Sequence, residues 1–165
     1  MDRIQDPQKL AEIANQLRIP VLQAIAGAKS GHPGGSLSAI DIITTLYLKH
    51  MRHDPARPDW QDRDRFILSK GHGVPALYAV LAHCGYFPIE EMESLRKVDS
   101  RIQGHPDRMT LPGIEASTGS LGQGLSIGLG MALTAQLDKA DWRVFVMLGD
   151  GESQAGQVWE AMMAT

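Results

Sequence analysis

Trp142-Arg143-Val144-Phe145-Val146-Met147-Leu148-Gly149-Asp150-Gly151 is the stretch that decides the fold. Apart from Arg143, its first seven residues are apolar without alternation, the pattern of a parallel strand buried on both faces. That strand hands over to an acid held between two glycines. Open parallel sheets bind ligands outside the carboxyl ends of their strands, and a carboxylate there suits a hard divalent cation while glycines let a phosphate approach the backbone. Asp150 is therefore a candidate metal ligand. One carboxylate is enough to begin such a site, because magnesium keeps most of its shell for phosphate oxygens and water. Gly-Asp-Gly is equally good chemistry for a plain strand-end turn.

Outward from this strand the chain alternates strands and helices. Phe66-Ile67-Leu68-Ser69 reads as a second buried strand, ending in Lys70-Gly71-His72-Gly73 before an apolar helix from Val74 to about His83. Asp6-Pro7 starts an amphipathic helix that Pro20 is expected to kink or interrupt. Ser30 to Gly35 reads as a loop, and Ser36 or Ser38 as the cap of a helix from Leu37 to about Met51. His53 to Arg65 reads as a connector, and Pro88 as the start of a short charged helix through about Arg96. A glycine-rich helix follows Gly124 to about Leu137, with Gly124 and Gly128 one turn apart for close backbone packing, either internally or at a dimer interface. A final helix from about Ser153 stops at Thr165 with no cap, so the domain is expected to be interrupted there and the natural chain to be longer. The fold class is α/β, a mainly parallel sheet flanked by helices.

Composition narrows the function. The chain has 165 residues, 43% hydrophobic and 21% charged, with 16 basic against 19 acidic side chains. This describes one ordinary globular domain with no electrostatic footprint for nucleic acid. Cys84 stands alone and cannot form an internal disulfide, and residues 1–6 lack the apolar core of a secretory leader, so the expected location is cytoplasmic. The charge-free run from Ala116 to Leu137 spans 22 residues but contains five glycines among its polar fillers, which speaks against a membrane span. Neither a Gly-x-x-x-x-Gly-Lys-Ser/Thr loop nor a Gly-x-Gly-x-x-Gly with a trailing acid follows a strand, which argues against nucleotides.

Three of the six histidines, His32, His72 and His105, directly follow glycine in loops. Glycine neighbours leave room for a ligand, and imidazole donates, accepts or carries charge near neutral pH. A three-histidine zinc centre is a weak reading, because the separations of 40 and 33 residues include no short ligand pair.

Five segments occur in an order that resembles the transketolases: Ser30-Gly31-His32-Pro33-Gly34, Leu68-Ser69-Lys70-Gly71-His72, Gly104-His105-Pro106, Thr118-Gly119-Ser120-Leu121-Gly122-Gln123-Gly124 and Gly149-Asp150-Gly151. The resemblance implies that residues 1–165 belong to the diphosphate-binding domain of a thiamine-diphosphate enzyme, and the Thr118–Leu121 wording is close to bacterial enzymes split into two subunits. It implies that Asp150 binds Mg²⁺ bridging the cofactor phosphates, with Gly151 offering backbone to the diphosphate and His72 contacting the same region. Gly119 and Leu121 would position the aminopyrimidine. His32 and His105 would face the donor ketose and assist proton transfer, while the cofactor carries the carbanion chemistry. The implied reaction moves a two-carbon ketol unit between sugar phosphates. The implied partner is a C-terminal subunit or domain carrying the catalytic Glu, within a homodimer or heterotetramer.

Two departures accompany the resemblance. The family's metal motif continues to an Asn beyond this chain. Ala155 also stands where an interface Glu is usual, although Glu160 occupies the position of a second interface carboxylate. The rival expectation is a non-catalytic, transketolase-like subunit with an assembly role.

Overall fold

The computed structural model describes residues 3–164, so the leader reading at Met1 and Asp2 and the chain end at Thr165 lie outside the described residues. The elements run α1 (Pro7–Ala28), α2 (Pro33–Leu37), α3 (Ile40–Thr45), a π-helical turn (Leu46–His50), β1 (Arg65–Leu68), a 3₁₀ turn (Gly71–Gly73), α4 (Val74–Cys84), a 3₁₀ stretch (Ile89–Ser94), α5 (Gln123–Leu137), β2 (Val144–Met147), a 3₁₀ turn (Glu152–Gln154) and α6 (Gly156–Met163). β1 and β2 pair in parallel, Arg65 opposite Val144 through Leu68 opposite Met147. No strand adjoins the other edge of β2 among the described residues.

Alternation along the strands makes three layers. Phe66 and Leu68 join the main core formed with α1, α3 and α4, and Phe145 and Met147 pack against it. Ile67, Val144 and Val146 face the opposite side, where α5 lies across them. α4 is the core helix, with ten of its eleven residues buried. α6 packs on α5. All four residues of β2 are only partly buried, which corrects the expectation of a strand enclosed on both faces. β1, the other strand of the pair, is buried at Phe66, Ile67 and Leu68, so the partial burial is particular to β2.

Local chemistry explains the boundaries. Asp6 caps α1, its carboxyl accepting the Gln8 N–H at 2.9 Å. α1 continues through Pro20 instead of breaking, because the carbonyl that Pro20 leaves without a donor belongs to exposed Gln16 and faces water. The expected loop at residues 30–35 is half wrong as well. Pro33 takes the first position of α2, where its missing N–H costs nothing, and Gly34 and Gly35 are helical behind it. Neither Ser36 nor Ser38 caps α3, whose preceding residue is Ala39. The Ser36 hydroxyl instead donates to the His32 carbonyl at 3.3 Å, and the Ser38 hydroxyl to that of Gly35 at 3.3 Å.

A buried carboxyl clasps the entry to the two strands. Asp64 is 1% exposed and accepts the Arg52 N–H at 2.9 Å, the Arg143 N–H at 2.8 Å and the Arg143 guanidinium at 2.8 Å. Burial alone would raise its pKa, but these hydrogen bonds outweigh it and hold the carboxyl below its usual range.

The glycines of α5 are not equivalent. A Cβ on Gly128 would overlap the Val146 side chain, and one on Gly124 would fall 2.8 Å from the Ser69 Cα, so the expected close packing is internal. Gly130, in the same helix, is exposed and has open space there. Gly128→Ala should therefore lower stability by about 1–3 kcal/mol, whereas Gly130→Ala should raise it by about 0.5–1 kcal/mol. Urea unfolding of the two variants beside the unsubstituted protein checks the opposite signs.

Candidate functional site

The carboxyl ends of β1 and β2 open side by side, and α2 and three loops meet there. A cavity of about 330 Å³ is lined by Gly34, Gly35 and Ser38, by Lys70 and His72, by Leu121, and by Gly149, Asp150, Gly151 and Glu152. It collects Asp150, Gly151, His72 and Leu121 from the expected set of site residues. His32 joins them through its ring, whose centroid is 5.1 Å from that of His72. Their closeness needs Gly35, where a Cβ would stand 2.7 Å from the His72 ring.

His105 approaches from the remaining loop. Tyr78, fully buried in α4, donates its hydroxyl to the His105 carbonyl at 3.2 Å and fixes that loop to the core. The His105 ring lies against Gly119, where a Cβ would be 3.0 Å from it. The Thr118 hydroxyl donates to the Leu68 carbonyl at 2.6 Å, which ties the segment before Leu121 to the end of β1. All three Gly-His loops thus converge. Glu160 does not belong to the cavity; it sits exposed on α6.

The structure adds residues that the sequence reading passed over. Glu152 is 4% exposed. One carboxyl oxygen accepts the Gly122 N–H at 2.8 Å and the Ser69 hydroxyl, and the other accepts the Gly149 N–H at 2.9 Å. Ser69 in turn accepts the Gly124 N–H at 3.2 Å. Gly122 has φ +88°, which favours glycine, and it offers no side chain to cap α5. Ser69 and Glu152 therefore satisfy N–H groups at the start of that helix from remote parts of the chain. The cue for Glu152 was an acid two residues past Asp150, and nothing in its spacing marked it as buried. Lys70, only 7% exposed, donates to the Ser38 hydroxyl at 3.0 Å.

The electrostatics are two-sided. Burial, and then the neighbouring His32, Lys70 and His105, hold the His72 imidazole below its usual range. Desolvation, followed by Arg96 and His32, lowers His105. Desolvation also lowers Lys70, opposed by Asp150 and Glu152. Basic groups thus share the cavity with an exposed carboxyl at Asp150, an arrangement that fits a polyanion carried with a divalent cation. Among the described residues no three His, Cys, Asp or Glu side chains group to hold a metal by themselves. The donor set therefore fits a cation whose remaining ligands come from elsewhere.

Comparison with known proteins follows the same lines. Residues 9–165 match the family model described as transketolase, thiamine diphosphate binding domain. A 6-deoxy-6-sulfo-D-fructose transketolase subunit of Clostridium sp. (strain MSTE9) is 47% identical over 150 residues, 91% of this chain and 54% of that protein. An apulose-4-phosphate transketolase subunit of Phocaeicola vulgatus is 45% identical over 144 residues, 87% of this chain and 51% of its own length. The chain thus spans about half the length of these two relatives. Transketolase from Leishmania mexicana superposes with a TM-score of 0.87 at 34% identity, over 94% of this chain and 25% of that one. No helix among the described residues is long and apolar enough to cross a membrane.

His72 gives the site a pH signature. Because its pKa is lower folded than unfolded, the unfolded chain binds the extra proton between the ordinary imidazole value of about 6.5 and the depressed one. Stability should fall as pH drops through that window. In His72→Gln the slope of the urea midpoint against pH below about 6.5 should be shallower than in the parent, and equal slopes would remove His72 from this balance.

Proposed function

The chain belongs to the transketolase family, and on that premise we propose that it is the diphosphate-binding part of an enzyme that transfers a two-carbon ketol unit from a ketose phosphate to an aldose phosphate. The observation that supports this best is the convergence of His72, Leu121, Asp150 and Gly151 on one cavity at the strand ends, with His32 and His105 beside it. Residues 1–165 form one domain in this reading.

Thiamine diphosphate supplies the carbanion chemistry when bound. The chain's own residues do the rest. Asp150 would hold Mg²⁺, sharing it with phosphate oxygens and with a ligand from outside this segment. Gly151 would offer backbone to the diphosphate and His72 a ring nitrogen. Gly119 and Leu121 would position the aminopyrimidine. His32 and His105 would hold donor hydroxyls and move a proton at the donor carbonyl; desolvation, then Arg96 and His32, lower the His105 pKa and so favour its neutral, proton-accepting form.

The activating Glu would come from a C-terminal subunit or domain, in a homodimer or a heterotetramer with Glu160 at an interface, the acceptor contacts would lie largely outside this segment, and the metal shell would be completed by the Asn to which the family's motif continues. Without that partner the chain would have no turnover. The sulfosugar and apulose phosphate in the names of the two split relatives mark the kinds of sugar to test first.

Calorimetric titration of thiamine diphosphate into the full-length protein with its copurifying partner should give binding that requires Mg²⁺. Asp150→Asn should abolish that requirement together with tight binding. His105→Ala should reduce donor kcat/KM by roughly 100-fold while cofactor affinity stays within about threefold. Absence of cofactor binding with the partner present would leave an assembly role, with Ala155 in place of an interface acid, as the function of the chain.

A further inference from the structure

Glu152 is buried, and each group that its carboxyl holds stands next in the chain to a residue lining the cavity. The Ser69 hydroxyl precedes Lys70, the Gly122 N–H follows Leu121, and the Gly149 N–H precedes Asp150. One carboxyl oxygen serves Ser69 and Gly122, and the other serves Gly149. A single side chain thus joins the Leu121 segment, the end of β1 and the Asp150 loop. Two further ties on the Leu121 segment lead elsewhere: the Thr118 hydroxyl donates to the Leu68 carbonyl at 2.6 Å, and the Gln123 amide to that of Gln157 on α6 at 2.8 Å. Neither reaches the Asp150 loop. A carboxylate suits this junction because both of its oxygens only accept, whereas an amide would turn N–H donors on one of the two sides.

We propose that Glu152 is a positioning residue that sets the span between the two halves of the cavity, the Asp150 loop and the Leu121 segment, so that one ligand engages both at once. The inference rests on the reading of the cavity as the cofactor site, with the diphosphate on the first half and the aminopyrimidine on the second. A ligand that reaches two half-sites gains from the second contact only when their separation is held at its own length; a variable span spreads that contact over geometries the ligand cannot use. Glu152 touches neither half of the ligand in this role. Its effect falls on the difference between a ligand that spans the halves and one that occupies only the first. The competing role is that of a plain strut, in which its loss weakens the fold and every ligand together.

The test uses the full-length protein in the assembly in which it purifies, with Mg²⁺ present. Inorganic pyrophosphate, which fills one half, and thiamine diphosphate, which spans both, are titrated calorimetrically into the parent and Glu152→Gln, and the ratio of the two affinities is compared. In the variant either the Gly149 N–H or the Gly122 N–H faces an amide N–H in place of an acceptor, so the junction opens on one side whichever way the amide turns. Loss of one buried hydrogen bond of this kind is worth about tenfold, so the preference for thiamine diphosphate over pyrophosphate should fall by about that factor while pyrophosphate affinity stays within about threefold. The negative charge removed acts on the diphosphate that both ligands share and cancels in the ratio. Glu152→Asp, which keeps the charge on a shorter chain, should lower the ratio in the same direction and serves should the Gln variant fail to fold. Ser153→Ala removes a hydroxyl that donates to the Gly149 carbonyl at 2.7 Å within one loop only, and should leave the ratio unchanged. An unchanged ratio in both Glu152 variants, or an equal loss of both affinities, would overturn the proposal and leave the cavity assignment in place, as would a parent that binds thiamine diphosphate no more tightly than pyrophosphate. A parent that binds neither ligand would overturn both.

Discussion

The structure depends on the buried carboxyl of Glu152. Removing a carboxyl from water is costly unless its oxygens are fully engaged, and here they accept two backbone N–H groups and a hydroxyl from three separate places. Those places are the end of β1, the residue before α5 and the end of β2. The three segments that form the floor of the cavity are thereby held in register by one side chain. Asp64 does the corresponding work at the strand entries, so a pair of four-residue strands is clasped at both ends by an acid that water does not reach. A two-stranded sheet of this length would not hold such precision through its ladder bonds alone.

This arrangement explains which parts of the fold were legible in the sequence. β1, β2, α4 and α5 announce themselves through long apolar runs and glycine spacing, and they stand within a few residues of the expected places. What was misread lies where a distant group decides. The α5 start was visible only as glycines, because Ser69 and Glu152 cap it from 55 and 30 residues away. Residues 30–35 look like a loop until the His72 ring is placed beside Gly35, at which point a helical turn without a side chain becomes the compact solution. Local pattern also overstated the burial of β2, since its apolar run says what the strand can cover and not what lies next to it.

The site was legible to a different degree. Histidines following glycine and an acid between glycines are conspicuous because these residues combine reactive groups with absent side chains, whereas the meeting of the three loops is a property of the fold. Lys70 and Glu152 carried no such mark. Each sits in a motif already quoted for a neighbour, His72 and Asp150 respectively, and charged residues at such positions are ordinarily solvated. Only their burial separates them from surface charges.

The sign of the charges across the cavity constrains what can enter. A bare anion would be drawn to Lys70 and the histidines but repelled by exposed Asp150; a bare divalent cation would meet Asp150 with the ammonium of Lys70 nearby and no second carboxylate free to help. Each half of the site penalises a ligand that satisfies only the other. A diphosphate carrying its own cation satisfies both at once, since the cation bridges to Asp150 while unbridged oxygens face the basic side. The glycines then matter for a second reason. They would let the backbone come near the phosphates without adding volume, so the polarity of the cavity is set by five side chains, Ser38, Lys70, His72, Asp150 and Glu152, of which the last is committed to Ser69, Gly122 and Gly149, the framework beside the others.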